Sequence, residues 1–96
     1  MYRGKSRRRH ERHKVEQITP IQLNGSDGTI FFVVPVDESE SGLGCIYSGK
    51  IPPEAGRRYM VARAGETREM ELRWISPLSK NRYRLGLMYA DMDLDG

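Results

Sequence analysis

Cysteine is nearly absent from this 96-residue chain, where Cys45 stands alone. A single thiol excludes an internal disulfide and fits a reducing compartment. Aromatics are also sparse, with one tryptophan, two phenylalanines and five tyrosines, a poor supply of stacking platforms for single-stranded nucleic acid. No apolar run approaches the roughly 18 residues of a membrane span, and no hydrophobic stretch of a signal peptide follows the arginine-rich start. The expectation is a cytoplasmic domain that inserts in no membrane. Catalytic signatures are missing too: there is no Gly-rich phosphate loop and no plausible Ser-His-Asp set. His10 and His13 with Cys45 fall short of a metal-ligand set. Glu38 and Glu40 are carboxylates in turn sequence with nothing to tune them as an acid/base pair. Neither an enzyme nor a metal or cofactor is expected. A chain of this length makes one domain, burying roughly 60% of its unfolded surface around a modest core.

Positive charge is what the chain does have, and it is unevenly placed. Residues 1–14 carry seven basic side chains (Arg3, Lys5, Arg7, Arg8, Arg9, Arg12 and Lys14) against Glu11, while the remaining residues are net acidic by three charges. The excess belongs to an arm, expected to be flexible because it has nothing apolar to bury.

After the arm the pattern is β. Val15 to Leu23 reads as a first strand that Pro20 confines to an edge or a bulge. Asn24-Gly25-Ser26-Asp27-Gly28 is a turn signal. Thr29 to Val36 is apolar and β-branched throughout, the mark of a central strand buried on both faces. Leu43, Cys45 and Tyr47 alternate as a short strand, Gly49 to Gly56 is a loop, and Tyr59 and Val61 resume the alternation before a turn at Ala64-Gly65. From Thr67 to Ile75, Met70, Leu72 and Trp74 fall on one face, making Trp74 a core residue first and a stacking platform second. From Arg82 to Tyr89, Tyr83, Leu85, Leu87 and Tyr89 fall inward. Six short strands with turns between them predict an all-β fold, a small six-stranded antiparallel β-barrel spanning residues 15–90 that closes to remove its edges. Residues 91–96 read as an acidic tail.

Two motifs carry the chemistry. Arg8 and Arg12 form an RxxxR preceded by Arg7, with Arg9 between them; Asp37, Ser39 and Gly42 form a DxSxxG that runs into Leu43-Gly44. Arginine meets a guanine O6/N7 edge or a phosphate in bidentate fashion and stacks its flat face on a purine. Asp37 offers a carboxylate to the N1–H and N2–H2 donors of a guanine. Ser39 can donate or accept at a ligand's edge, and Gly42 permits a backbone angle or a close approach that a side chain would block. A guanidinium clamp facing an acidic, glycine-bearing turn suits an anionic guanine nucleotide. Other readings stand beside this one. The arginines could be a solvated tail or a nonspecific nucleic-acid contact, and Asp37 to Ser39 could be a turn held by its own side chains.

In this order and strand context, the motifs resemble the PilZ family of cyclic dimeric GMP receptors, across roughly residues 7–90. The family has RxxxR in an N-terminal arm and [DN]xSxxG at the end of the second strand, and Glu71–Trp74 with Tyr83–Tyr89 look like its closing hairpin. The resemblance implies a PilZ-like split barrel and a cyclic dimeric GMP (c-di-GMP) receptor that signals to a downstream protein partner when its arm is ordered. It implies ligand contacts from Arg7, Arg8, Arg12, Asp37, Ser39 and Gly42, with Arg9, Gly44 and Trp74 as additional candidates. Arg7 resembles the residue of receptors that hold two ligand molecules per protomer. Glu38 departs from the pattern, because that position is usually apolar. The tail after Tyr89 is too short and acidic for the C-terminal helix that often follows the family's barrel. The alternatives are a small barrel binding RNA or single-stranded DNA, and a degenerate PilZ adaptor that binds protein and no nucleotide.

Overall fold

The computed structural model describes residues 13–14, 19–63 and 65–90. The seven strands are β1 (His13–Lys14), β2 (Ile21–Asn24), β3 (Ile30–Glu38), β4 (Gly42–Ser48), β5 (Arg58–Arg63), β6 (Glu66–Ser79) and β7 (Arg82–Tyr89). All pairings are antiparallel, in the order β1-β3-β2-β5-β6-β7-β4, and β4 pairs again with β3. Six strands therefore close a barrel, as the sequence predicts, and closure leaves no ladder edge among them. The two residues of β1 add to it from outside, pairing His13 with Glu38 and Lys14 with Asp37. Pro20 explains why the expected first strand is not continuous: β2 starts immediately after it, because proline cannot donate to a ladder. The strand reading for residues 15–18 and the acidic tail at 91–96 lie outside the described residues.

Alternation puts one face of each strand inside. Leu23, Val33, Leu43, Cys45, Val61, Met70, Leu72, Leu85 and Leu87 are each at most 3% exposed, and burial of such a side chain is worth roughly 1.5–3 kcal/mol. Aromatics plug the barrel end where β3 begins. Phe31 meets Tyr47 and Tyr59 edge-on at centroid distances of 5.7 and 6.0 Å, and Tyr47 lies 6.3 Å from Tyr83.

The opposite end is polar. Glu38, the departure from an apolar position, forms an ion pair with Arg63 of β5 at 2.7 Å. In the strand registers, Glu38 pairs with the core residue Leu43, and Arg63 continues the inward series Tyr59 and Val61. The charge that looked out of place in the motif is thus answered at the barrel mouth by a cation two strands away.

Two expectations about burial need correction. Thr29–Val36 is not buried on both faces: Ile30 is 51% and Phe32 63% exposed. A closed barrel has one interior, so the outward half of an apolar strand stays in solvent unless another layer covers it, and no described residues form one. Trp74 is 45% exposed and is not a core residue. The β6–β7 register shifts between Leu72 and Trp74, and a bulge of one residue turns every later side chain to the other face.

The predicted turn at residues 24–28 is built by its own side chain. Asp27 Oδ1 accepts the Thr29 N–H at 3.0 Å, and Oδ2 lies 3.3 Å from Arg57 Nη2. The Thr29 backbone bond is the chief cause that lowers the Asp27 carboxyl from 3.8 to about 2, with Arg57 adding to it. A lowered folded-state pKa gives stability that is complete above the unfolded value near 4 and is lost as pH falls through about 2. Asp27→Asn, which keeps an acceptor oxygen but no charge, is therefore expected to melt less pH-dependently than the unsubstituted protein between about pH 4 and pH 2. Paired thermal melts across that window check this, and parallel curves would contradict it.

Candidate functional site

The DxSxxG motif forms the corner between β3 and β4. Pro35 pairs with Cys45, but the register slips at Val36, so that Asp37 falls opposite Gly44 and Glu38 opposite Leu43. The bulge follows a proline that has no N–H for the ladder, and it re-aims the strand end. Beyond it the turn holds itself together. Ser39 N–H donates to the Gly42 carbonyl at 2.9 Å, and Ser41 N–H reaches Ser39 Oγ at 3.3 Å. Ser39 Oγ also lies 3.1 Å from Ser41 Oγ. Tyr89 N–H donates to the Ser41 carbonyl at 2.8 Å, tying the corner to β7.

Glycines floor the outer face beside this corner. On β4 and β7, Gly42, Gly44, Gly86 and Arg84 alternate with the core residues Leu43, Cys45, Leu85 and Leu87, so they point outward. A Cβ on Gly44 would lie 2.5 Å from Asp37 Oδ1, and a Cβ on Gly86 would lie 2.2 Å from Trp74 Nε1. The Asp37 carboxylate thus lies across Gly44, and the Trp74 indole across Gly86. Gly42 differs: its Cβ would meet the Leu87 carbonyl oxygen at 1.9 Å. The close approach inferred for Gly42 is made by the backbone of β7, where the strands pack too tightly for a side chain.

Next to the indole, Ser41, Arg73, Trp74, Gly86, Leu87 and Met88 line a groove of about 230 Å³. That is below the roughly 300–1,000 Å³ of pockets that enclose a whole small ligand. Arg73, on the outer face, lies 3.2 Å from Met88 Sδ and 3.9 Å from the Glu71 carboxylate. Arg84 Nη2 donates to Asp37 Oδ2.

The structure therefore brings Asp37, Ser39, Gly42, Gly44 and Trp74 to one outer face. Arg7, Arg8, Arg9 and Arg12 lie outside the described residues, as do His10 and the arm reading for residues 1–12. Their point of attachment is described: His13 and Lys14 pair with Glu38 and Asp37, so the basic segment joins the barrel at the DxSxxG motif. Among the described residues no group of three His, Cys, Asp or Glu side chains could hold a metal ion, and no helix is long and apolar enough to cross a membrane. Sequence reasoning missed Gly86 and Arg84. The available signal was their outward position in the Tyr83–Tyr89 alternation, one strand from the motif.

No protein-family model matches the chain, and no curated protein does. Among solved structures it is similar to the PilZ domain, with c-di-GMP, of YcgR from Escherichia coli. The TM-score is 0.71 at 20% identity, over 91% of this chain and 80% of that one. The chain has the PilZ fold.

Proposed function

We propose that this barrel is a receptor for cyclic dimeric GMP. The observation that carries the reading is the junction of β1 with β3: His13 and Lys14, which directly follow a sequence with five arginines among residues 1–12, are paired to Glu38 and Asp37. The cation-rich sequence is thus joined to the barrel next to the motif's carboxylate. The fold shared with a PilZ domain solved with this ligand supports the same reading.

In this reading Arg8 and Arg12 engage a guanine edge and a phosphate, each with a planar fork. Arg7 answers the additional phosphates of a second ligand molecule, giving two per protomer, and Arg9 is an additional contact. Asp37 accepts the N1–H and N2–H2 of one guanine, and Ser39 meets the ligand's edge from the turn. Trp74, on its glycine seat, offers a face for stacking a base, and base–aromatic stacking is worth about 1–3 kcal/mol. Ligand arrival fastens the arm across the glycine-floored face, and the ordered arm is the signal that a protein partner reads.

Trp74 is the chain's single tryptophan, so its fluorescence reports on this face alone. Titration with cyclic dimeric GMP is expected to quench it saturably, with calorimetry giving two molecules per protomer. GTP and a short single-stranded RNA are expected to leave the signal unchanged. Heat and quenching absent with the cyclic dinucleotide would favour an adaptor that binds protein alone. Salt-dependent RNA binding that is indifferent to Asp37→Ala would favour a nucleic-acid barrel.

A further inference from the structure

Arg84 is tied directly to the motif's carboxylate, and nothing in the RxxxR or DxSxxG pattern includes it. It sits on β7, paired with Ile46 of β4, while Asp37 sits on β3, paired with Gly44. The two are separated by the whole width of β4. The Arg84 side chain crosses that strand and donates Nη2 to Asp37 Oδ2. The crossing is possible because β4 and β7 present glycine, at Gly44 and Gly86, beside its path. Asp37 in turn leans over Gly44, with Oδ1 the atom nearest to where a Cβ would be. One carboxylate oxygen is thus held by Arg84, and the other lies over the glycine floor.

The Arg84 Nε is buried and has no hydrogen-bond partner among the described residues. A side chain placed only to satisfy its own donors would not leave one stranded. The contact with Asp37 is what the placement achieves.

We propose that Arg84 is a positioning residue for nucleotide recognition. It fixes the Asp37 carboxylate in one orientation and cancels its charge, so that a guanine edge can be accepted without repelling the ligand's phosphates. This rests on the cyclic-dinucleotide reading above. A fixed carboxylate matches the paired N1–H and N2–H2 donors of guanine. Adenine presents an acceptor at N1 and can donate only from N6–H2, so it cannot make the paired contact. Arg84 therefore sharpens the choice of guanine over adenine and acts through Asp37.

The test is a double-mutant cycle read by titration with cyclic dimeric GMP and cyclic dimeric AMP, using the full chain, Arg84→Gln, Asp37→Asn and the double variant. Arg84→Gln is expected to weaken cyclic dimeric GMP about tenfold, within the coupling range of residues in contact, and to narrow discrimination against the adenine ligand. In the Asp37→Asn background the same change is expected to have no further effect. Arg84→Lys, which keeps the charge without the fork, is expected to fall between the unsubstituted protein and Arg84→Gln. It replaces the glutamine variant in the cycle if circular dichroism shows that variant unfolded. Equal losses in both backgrounds would overturn the positioning role, and so would full affinity in Arg84→Gln. Failure of the unsubstituted protein to bind either cyclic dinucleotide removes the receptor reading together with this one, so the two failures are distinguishable.

Discussion

Gly42→Ala is expected to destabilise the barrel by about 3 kcal/mol, the upper end of what overpacking costs. For a domain of this size that lowers the melting temperature by more than about 10 °C. The added methyl would sit 1.9 Å from the Leu87 carbonyl oxygen, with the Leu87 carbonyl carbon and the Met88 Cα each at 2.9 Å. All three neighbours are backbone, so no rotamer change relieves the clash, and β4 must move away from β7. That seam lies over Leu43, Cys45, Leu85 and Leu87, four of the most deeply buried side chains. Opening it exposes part of a core whose total margin is only about 5–15 kcal/mol. Thermal denaturation followed by circular dichroism reads the effect. A change of less than about 2 °C, far below that scale, would mean that β4 and β7 are not packed this closely. Loss of ligand binding in this variant would follow from the damaged seam and would not show that Gly42 touches the ligand.

Asp37→Ala is expected to cost the larger share of binding, about 3 kcal/mol or roughly 150-fold in Kd for cyclic dimeric GMP, while leaving the fold intact. Truncating one member of a hydrogen-bonded charge pair costs about 2–5 kcal/mol, much of it from leaving the partner unanswered. In the receptor reading, alanine removes the acceptor of the guanine donors; it also releases Arg84 from its contact. The fold should tolerate the change because Asp37 lies on the outer face, and the corner is held by the Ser39–Gly42 and Tyr89–Ser41 backbone bonds. Calorimetric titration beside a thermal melt separates the two quantities. Unchanged affinity with an unchanged melt would remove Asp37 from the ligand.

The strands were legible in the sequence because a barrel this small imposes one rule, alternation between a single interior and the outside. Leu43, Cys45, Leu85 and Leu87 obey it throughout. The rule misleads where its assumptions lapse. At Trp74 a bulge of one residue reverses the alternation, and no local signal in Leu72-Arg73-Trp74 announces it. In Thr29–Val36 the apolar run suggested two covering layers, but hydrophobicity alone cannot show whether a second layer exists, and Phe32 faces outward. The second motif was legible as turn chemistry with a carboxylate. What the sequence could not show is where its neighbours come from. Arg84 and Gly86 are more than forty residues from Asp37 along the chain, and only barrel closure through β4 and β7 brings them beside it. The same holds for Arg63, which accounts for Glu38 from the far side of β2.

The two-residue strand at His13–Lys14 fixes where the basic segment joins the barrel, and in the receptor reading proposed above that junction bears on affinity. Arg12 directly precedes His13 in the sequence, and the His13 backbone is paired with Glu38. In that reading, a guanidinium tethered beside the motif would meet a ligand on Asp37 as an intramolecular partner, at an effective concentration in the millimolar range. The same reading makes the grip a matter of tether geometry, so that the length of chain between the arginines and β1 would be a determinant of affinity in its own right.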